Sequence, residues 1–274
     1  MNKIMRTLTF ASGAVLTFLF FYACTGSKKE LELMSIKPAE AYNLVLSSPK
    51  YPDATFSFWL PELVIFDNDK DRAECKIHKD WYTQKGQSII VEGETKGEQR
   101  VSFKCKLTPK SKDEILLTLN VRNTGDIPLS DYAHLAICLS PQQGVFWDSL
   151  GSRTYVNSKD GRLISILQNG DVKDFNHYPV GDRTDNADTE QRDPVSDGYV
   201  ARTSPDGKLI LSFCWDESAR IDVNPGGLKC IHSHPAIGPL NPGERLTRKG
   251  LIMIKKSNVT DNYKLMQARI SEYL

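Results

Sequence analysis

Alternation of apolar and polar residues dominates the chain. Val101, Phe103, Cys105 and Leu107 occupy every second position of 99–108, and Ile115, Leu117, Leu119 and Val121 do the same across 114–122. A period of two places each set on one face of a strand. Asn123-Thr124-Gly125-Asp126 closes the second run with turn chemistry. Shorter runs at 55–60, 75–78, 87–91, 134–139, 145–147, 153–156, 163–168, 198–203, 209–215, 228–233 and 245–255 read the same way. Many short strands separated by turns, with no βαβ alternation, predict an all-β fold, a sandwich or barrel. Helical signals are confined to two places. Pro38 to Leu46 predicts a short helix, with Pro38 suited to its first turn. Val259, Tyr263, Met266, Ile270 and Tyr273 share one helical face, so a C-terminal helix is predicted over 258–273 with Asn258 as its cap. Between Asp171 and Asp197 no element is predicted, and a connection that long is expected to be functional or mobile.

The first 23 residues read as an address. Lys3 and Arg6 precede an apolar run from Thr7 to Ala23, which meets Cys24 and then the polar Thr25-Gly26-Ser27-Lys28-Lys29-Glu30. An apolar run ending in a small residue and then Cys resembles the bacterial lipoprotein signal. It implies cleavage before Cys24 and lipidation of that cysteine. An uncleaved anchor helix is the alternative, although the run is slightly short for a span of ~20 residues. Either way the folded part is expected at the cell envelope, on the periplasmic or outer-surface side. The expected division is a signal peptide over 1–23, a tether over 24–37 and one β-sandwich domain over 38–274 that includes the C-terminal helix.

Charge narrows the partners. The chain has 35 basic and 34 acidic residues, so it lacks the basic footprint of a nucleic-acid binder. Of six cysteines, five remain once Cys24 carries lipid, so at least one is unpaired within the chain. Cys75 with Cys105, and Cys214 with Cys230, are candidate disulfides on neighbouring strands, and buried free thiols are the alternative. No CxxC, GxSxG, P-loop, GxGxxG or HExxH pattern occurs. The Asp67–Asp71 run fails as a calcium loop, because Arg72 and His78 stand where Gly and Glu are required.

Two segments carry a family likeness. Leu117–Leu129 contains Asn123-Thr124-Gly125-Asp126-Ile127-Pro128 and is followed by His134. Gly227–Pro235 contains His232 and His234, and leads into Leu240-Asn241-Pro242-Gly243-Glu244. Together they resemble galactose mutarotase-like proteins, about a sixth of the chain being covered. The resemblance implies the large two-sheet antiparallel β-sandwich of that family, the supersandwich, with a carbohydrate-facing cleft on one concave sheet. It gives His134 and His232 the catalytic positions, with His232 standing where the family has a glutamate. An imidazole can act as a base near neutral pH.

Other candidates surround these two. His232 and His234 lie two apart, on one face of a strand, and a metal could be shared between them. No third ligand is fixed by the sequence, so no metal and no cofactor are expected. His177, His234 and Arg183 are candidate sugar contacts. Trp147 is the chosen stacking platform among Trp59, Trp81, Trp147 and Trp215. The carboxylates of the 182–197 loop are read as polar turns. Two functions follow from the sequence. One is an envelope-anchored lipoprotein that binds or processes carbohydrate, its partners being a sugar and, through its lipid, the membrane. The other is a noncatalytic structural or interaction lipoprotein without a sugar site.

Overall fold

The computed structural model describes residues 32–67, 71–76, 79–168, 176–183, 192–225 and 229–274. The signal segment, Cys24, most of the expected tether, His78 and the 184–191 part of the acidic loop lie outside the described residues. The first strands are β1 (Ser35–Pro38), β2 (Asn43–Ser48), β3 (Tyr51–Ile65), β4 (Arg72–Ala73), β5 (Tyr82–Lys85) and β6 (Ser88–Glu94). They are followed by β7 (Val101–Ser111), β8 (Glu114–Asn123), β9 (His134–Pro141), β10 (Thr154–Ser158), β11 (Leu163–Ser165) and β12 (Asn176–Pro179). The last are β13 (Val195–Thr203), β14 (Leu209–Trp215), β15 (Ser218–Val223), β16 (Ile231–Pro235) and β17 (Arg245–Lys256), before helix α1 (Val259–Tyr273).

These strands form two antiparallel sheets. The first runs β1-β2-β3-β9-β16-β15-β12, with β4 paired to β3. The second runs β11-β10-β13-β14-β17-β8-β7-β6-β5. Alternation builds the core between them. Phe56, Phe58, Leu135, Ile137, Leu139, Ile221 and Ile231 come from the first sheet, and Leu117, Leu119, Leu211, Phe213, Trp215 and Ile252 from the second, all fully buried. The fold is therefore the expected all-β, two-sheet antiparallel sandwich with a short C-terminal helix.

Helix α1 covers the outer face of the second sheet. Its Met266 and Ile270 bury against Tyr199, Ala201, Ile210, Cys214, Leu251 and Met253, each worth roughly 1.5–3 kcal/mol when fully buried. Asn258 caps it by accepting from the Asp261 amide at 2.9 Å. Arg269 reaches Glu114 at 2.8 Å, and Lys255 meets both Glu114 and Asp113 at 2.7 Å. Burial opposes ionisation of Asp113, but hydrogen bonds from Lys255, Lys50 and Ser111 outweigh it and hold its carboxyl at about 2.

The two segments that carry the family likeness are locked to each other. The Asn123 side chain donates to Ile127 O at 2.8 Å and to Leu240 O at 3.0 Å, and Leu129 bridges to Leu240. Asn123 is fully buried. The turn is thus a structural corner that joins the start of β9 to the connection before β17.

Several expectations are corrected. The 38–46 segment is not a helix: β2 starts at Asn43 and alternates, with Leu44 and Leu46 fully buried. β1 pairs with β2, so ordered sheet begins inside the expected tether. Residues 144–146 form a 3-10 turn rather than a strand. β12 and the start of β13 fall within the 171–197 connection. All five described cysteines are free thiols. Cys214 sits under α1 on the second sheet and Cys230 belongs to the first, which separates that suggested pair.

Candidate functional site

The outward face of the first sheet carries the chemistry. On β9, Leu135, Ile137 and Leu139 point into the core, so His134, Ala136 and Cys138 point the other way. The same alternation on β15 sends Ala219, Ile221 and Val223 inward and leaves Arg220 and Asp222 outward. On β16 it leaves His232 and His234 outward. Glu62, Leu63, Ile65, Arg72, His177 and Asn224 complete the lining of a cavity of about 300 Å³ on this face, with Ala136, Arg220, Asp222, Cys230, His232 and His234. Larger hollows of about 710 and 840 Å³ lie elsewhere, over β6–β8 with β17 and beside α1. They lack a cluster of buried titratable groups, which is what marks the smaller cavity as the candidate site.

Asp222 is its hub. Arg220 clamps the carboxylate with two hydrogen bonds, Nε to Oδ1 at 2.6 Å and an Nη to Oδ2 at 2.8 Å. His177 Nδ1 meets Oδ1 at 2.8 Å and His234 Nε2 meets Oδ2 at 2.9 Å. The other Arg220 Nη donates to the Tyr132 hydroxyl at 2.7 Å. Burial would raise the Asp222 pKa, but Arg220, His234 and His177 hold it well below the usual carboxylate range. The pair is ionised and rigid.

His234 does structural work in the sheet. β9 and β16 pair at Leu139–Ile231 and again at the His134–Ala236 bridge. Between those points the Ile137 amide donates to His234 Nδ1 at 3.0 Å, so an imidazole takes the place of a ladder carbonyl. With Nδ1 accepting and Nε2 donating, His234 is neutral, and burial pushes its pKa down to about 4. Its ring lies between His134 and His232, at centroid distances of 5.2 and 5.4 Å. His134 donates from Nδ1 to Tyr132 O at 2.8 Å, and burial, the first cause, with the Arg220 charge pushes it well below its ordinary pKa.

His232 is different. Its Nδ1 donates to Asp222 O at 3.0 Å, and its side chain also bonds the Cys230 sulfur. Burial lowers its pKa, but Cys230, Asp222 and Glu62 together more than offset this and the net direction is up. The Cys138 and Cys230 sulfurs stand 2.8 Å apart. Hydrogen bonds from Cys138 and His232 bring the Cys230 thiol down, whereas Cys230 and burial push the Cys138 thiol up. Glu62, at the rim, has its carboxyl raised, chiefly by desolvation.

The structure thus brings His177, His232 and His234 into one cavity. His134 lies against His234 but is not among the lining side chains. Trp147 is 41% exposed and stands apart from the lining, with Lys229 Nζ 3.5 Å from its ring centroid. Arg183 also stands apart, donating to Glu217 at 2.5 Å and to Ser218 O at 3.2 Å. The sequence reading missed Glu62, Cys138, Arg220, Asp222 and Asn224. The alternation of Ser218–Val223 was the available signal for Arg220 and Asp222.

No protein-family model matches the chain, and no curated protein matches it. Solved structures similar to it include a galactose mutarotase-like protein from Clostridium acetobutylicum, at 11% identity and TM-score 0.45, covering 80% of this chain and 94% of that one. A galactose mutarotase related enzyme from Lactobacillus acidophilus is similar at 9% identity and TM-score 0.42, covering 82% and 98%. A putative aldose 1-epimerase from Escherichia coli K12 is similar at 10% identity and TM-score 0.38, covering 82% and 100%. At these identities the likeness is one of fold.

Proposed function

We propose that the cavity between β3, β9, β15 and β16 binds a carbohydrate. The observation that carries this reading is Asn224 Oδ1. It lines the cavity, its residue is 3% exposed, and it has no hydrogen-bond partner among the described residues. A buried unpaired acceptor costs about 1–3 kcal/mol and calls for a donor, which a sugar hydroxyl supplies. The walls suit a pyranose. Leu63, Ile65 and Ala136 offer an apolar surface to its C–H face, while His232, Arg220 and Asp222 offer polar edges. Glu62 and Asp222 balance Arg72 and Arg220, which favours a neutral polyol over a phosphate.

A thermal-shift screen of the full chain against mono-, oligo- and acidic saccharides tests the proposal. A ligand at a hundred times its Kd adds about 2.7 kcal/mol of stability. The expected result is a positive shift with at least one neutral saccharide, lost in Asn224→Ala and in His232→Ala. No shift across the panel favours the noncatalytic structural or interaction reading, which the mutual satisfaction of Asp222, Arg220, His177 and His234 would also serve.

The lipoprotein reading is part of the same proposal and rests on the 1–30 sequence pattern. Cys24→Ser is expected to abolish incorporation of labelled fatty acid and to move the protein out of the membrane fraction. Unchanged labelling would contradict it.

A further inference from the structure

We propose that Cys138, Cys230 and His232 form a binding site for a thiophilic divalent cation of the zinc class at the cavity floor, with the fourth position open to the cavity. The ligand atoms of Cys138, Cys230 and His232 all lie within 4.8 Å of one another, and all three residues are buried. Two sulfurs and one imidazole nitrogen are a set that zinc takes, with an exogenous ligand completing the tetrahedron.

The sheet explains how the donors meet. The Leu139–Ile231 register sets Cys138 across from His232, and Cys230 precedes His232 by two positions on the same face. Cys138 and Cys230 are 92 residues apart in sequence, so no spacing motif announces them. The hydrogen bond from His232 Nδ1 to the Asp222 carbonyl fixes the ring and turns the other nitrogen toward the sulfurs. A carbonyl behind the imidazole is the usual outer support of a metal-bound histidine.

A disulfide is the competing account of the pair, because the sulfurs stand 2.8 Å apart, between the ~2.05 Å of a bonded pair and the separation on an ion. Two thiolates on one tetrahedral ion lie about 3.8 Å apart, given a metal–sulfur distance of ~2.3 Å. Binding therefore requires the sulfurs to open by about 1 Å from their 2.8 Å separation. On binding, each thiol gives its proton to solvent, and the resulting two thiolates neutralise the dication.

The test uses the reduced, chelator-treated full chain and cobalt(II) as the probe, with no saccharide present. One equivalent is expected to give a thiolate-to-cobalt charge-transfer band and the intense visible bands of a tetrahedral site, displaced by one equivalent of zinc. Cys138→Ser and Cys230→Ser should each lose the charge-transfer intensity and weaken binding about 100-fold or more. Absence of the bands in the wild-type chain would overturn the site. So would a thiol count in unreduced, denatured protein that falls by two in the wild type and not in Cys138→Ser, because the pair would then be a disulfide. Saccharide binding measured on the metal-free chain separates this outcome from the carbohydrate proposal.

Discussion

Asp222→Asn is expected to destabilise the protein by about 3–5 kcal/mol. Arg220 and Asp222 are each 3% exposed, so neither charge has water to fall back on. The carboxylate takes two bonds from Arg220 and one each from His177 and His234. Asparagine is nearly isosteric, but it removes the balancing charge and turns an amide donor toward donors. Breaking a buried pair leaves the partner's desolvation uncompensated, which is why the cost exceeds that of one hydrogen bond. His177→Ala removes a single bond at the cavity edge and should cost about 1 kcal/mol. Arg220→Met combined with Asp222→Asn should recover part of the loss, giving a favourable coupling in a double-mutant cycle. Urea unfolding reads the wild type, Asp222→Asn, His177→Ala, the double variant and the Arg220→Met single variant that closes the cycle. An unfolding free energy for Asp222→Asn within about 1 kcal/mol of wild type would show that the hub does not hold this face together.

Gly238→Ala is expected to cost more than about 4 kcal/mol, at the extreme of single substitutions. A Cβ there would stand 1.8 Å from the Ser130 carbonyl oxygen and 2.9 Å from its carbon. Both sides of the contact are backbone. Ser130 O accepts from Ala133 N at 3.2 Å, Ile237 N donates to Ala133 O at 2.8 Å, and Leu129 pairs with Leu240. No rotamer change relieves such a clash, so the corner that starts β9 must move, and His134 with it. Gly144→Ala is the control, because its Cβ would meet nothing nearer than 3.7 Å. Thermal unfolding should leave Gly144→Ala near wild type while Gly238→Ala melts far lower or fails to fold. Equal melting temperatures would contradict the packing described here.

The sandwich was legible because its signal is local. Alternation at 99–108 and 114–122 became β7 and β8, and the apolar stripe from Val259 to Tyr273 became the docked face of α1. The 38–46 segment misled because Pro38 and two alanines suit a first helical turn, while sheet pairing to β1 and β3 decides the outcome. The site was half legible. His232 and His234 stood out as a same-face pair, but their partners are set by register. Asp222 meets them from the neighbouring strand, and Cys138 meets Cys230 from β9. The Asn123 turn stood out as a motif and proved to be a corner, since its side chain serves only backbone carbonyls and the Gly125 amide.

Imidazole NMR is the most direct measurement on the carbohydrate cavity. The protein has five histidines, and His134, His177, His232 and His234 gather on this one face. With those resonances assigned by single substitutions, the saccharide panel is titrated into the labelled full chain. The account predicts saturable shifts at His177 and His232, with His234 remaining neutral throughout. A saccharide that binds while leaving both resonances unmoved would place its site elsewhere and contradict the account.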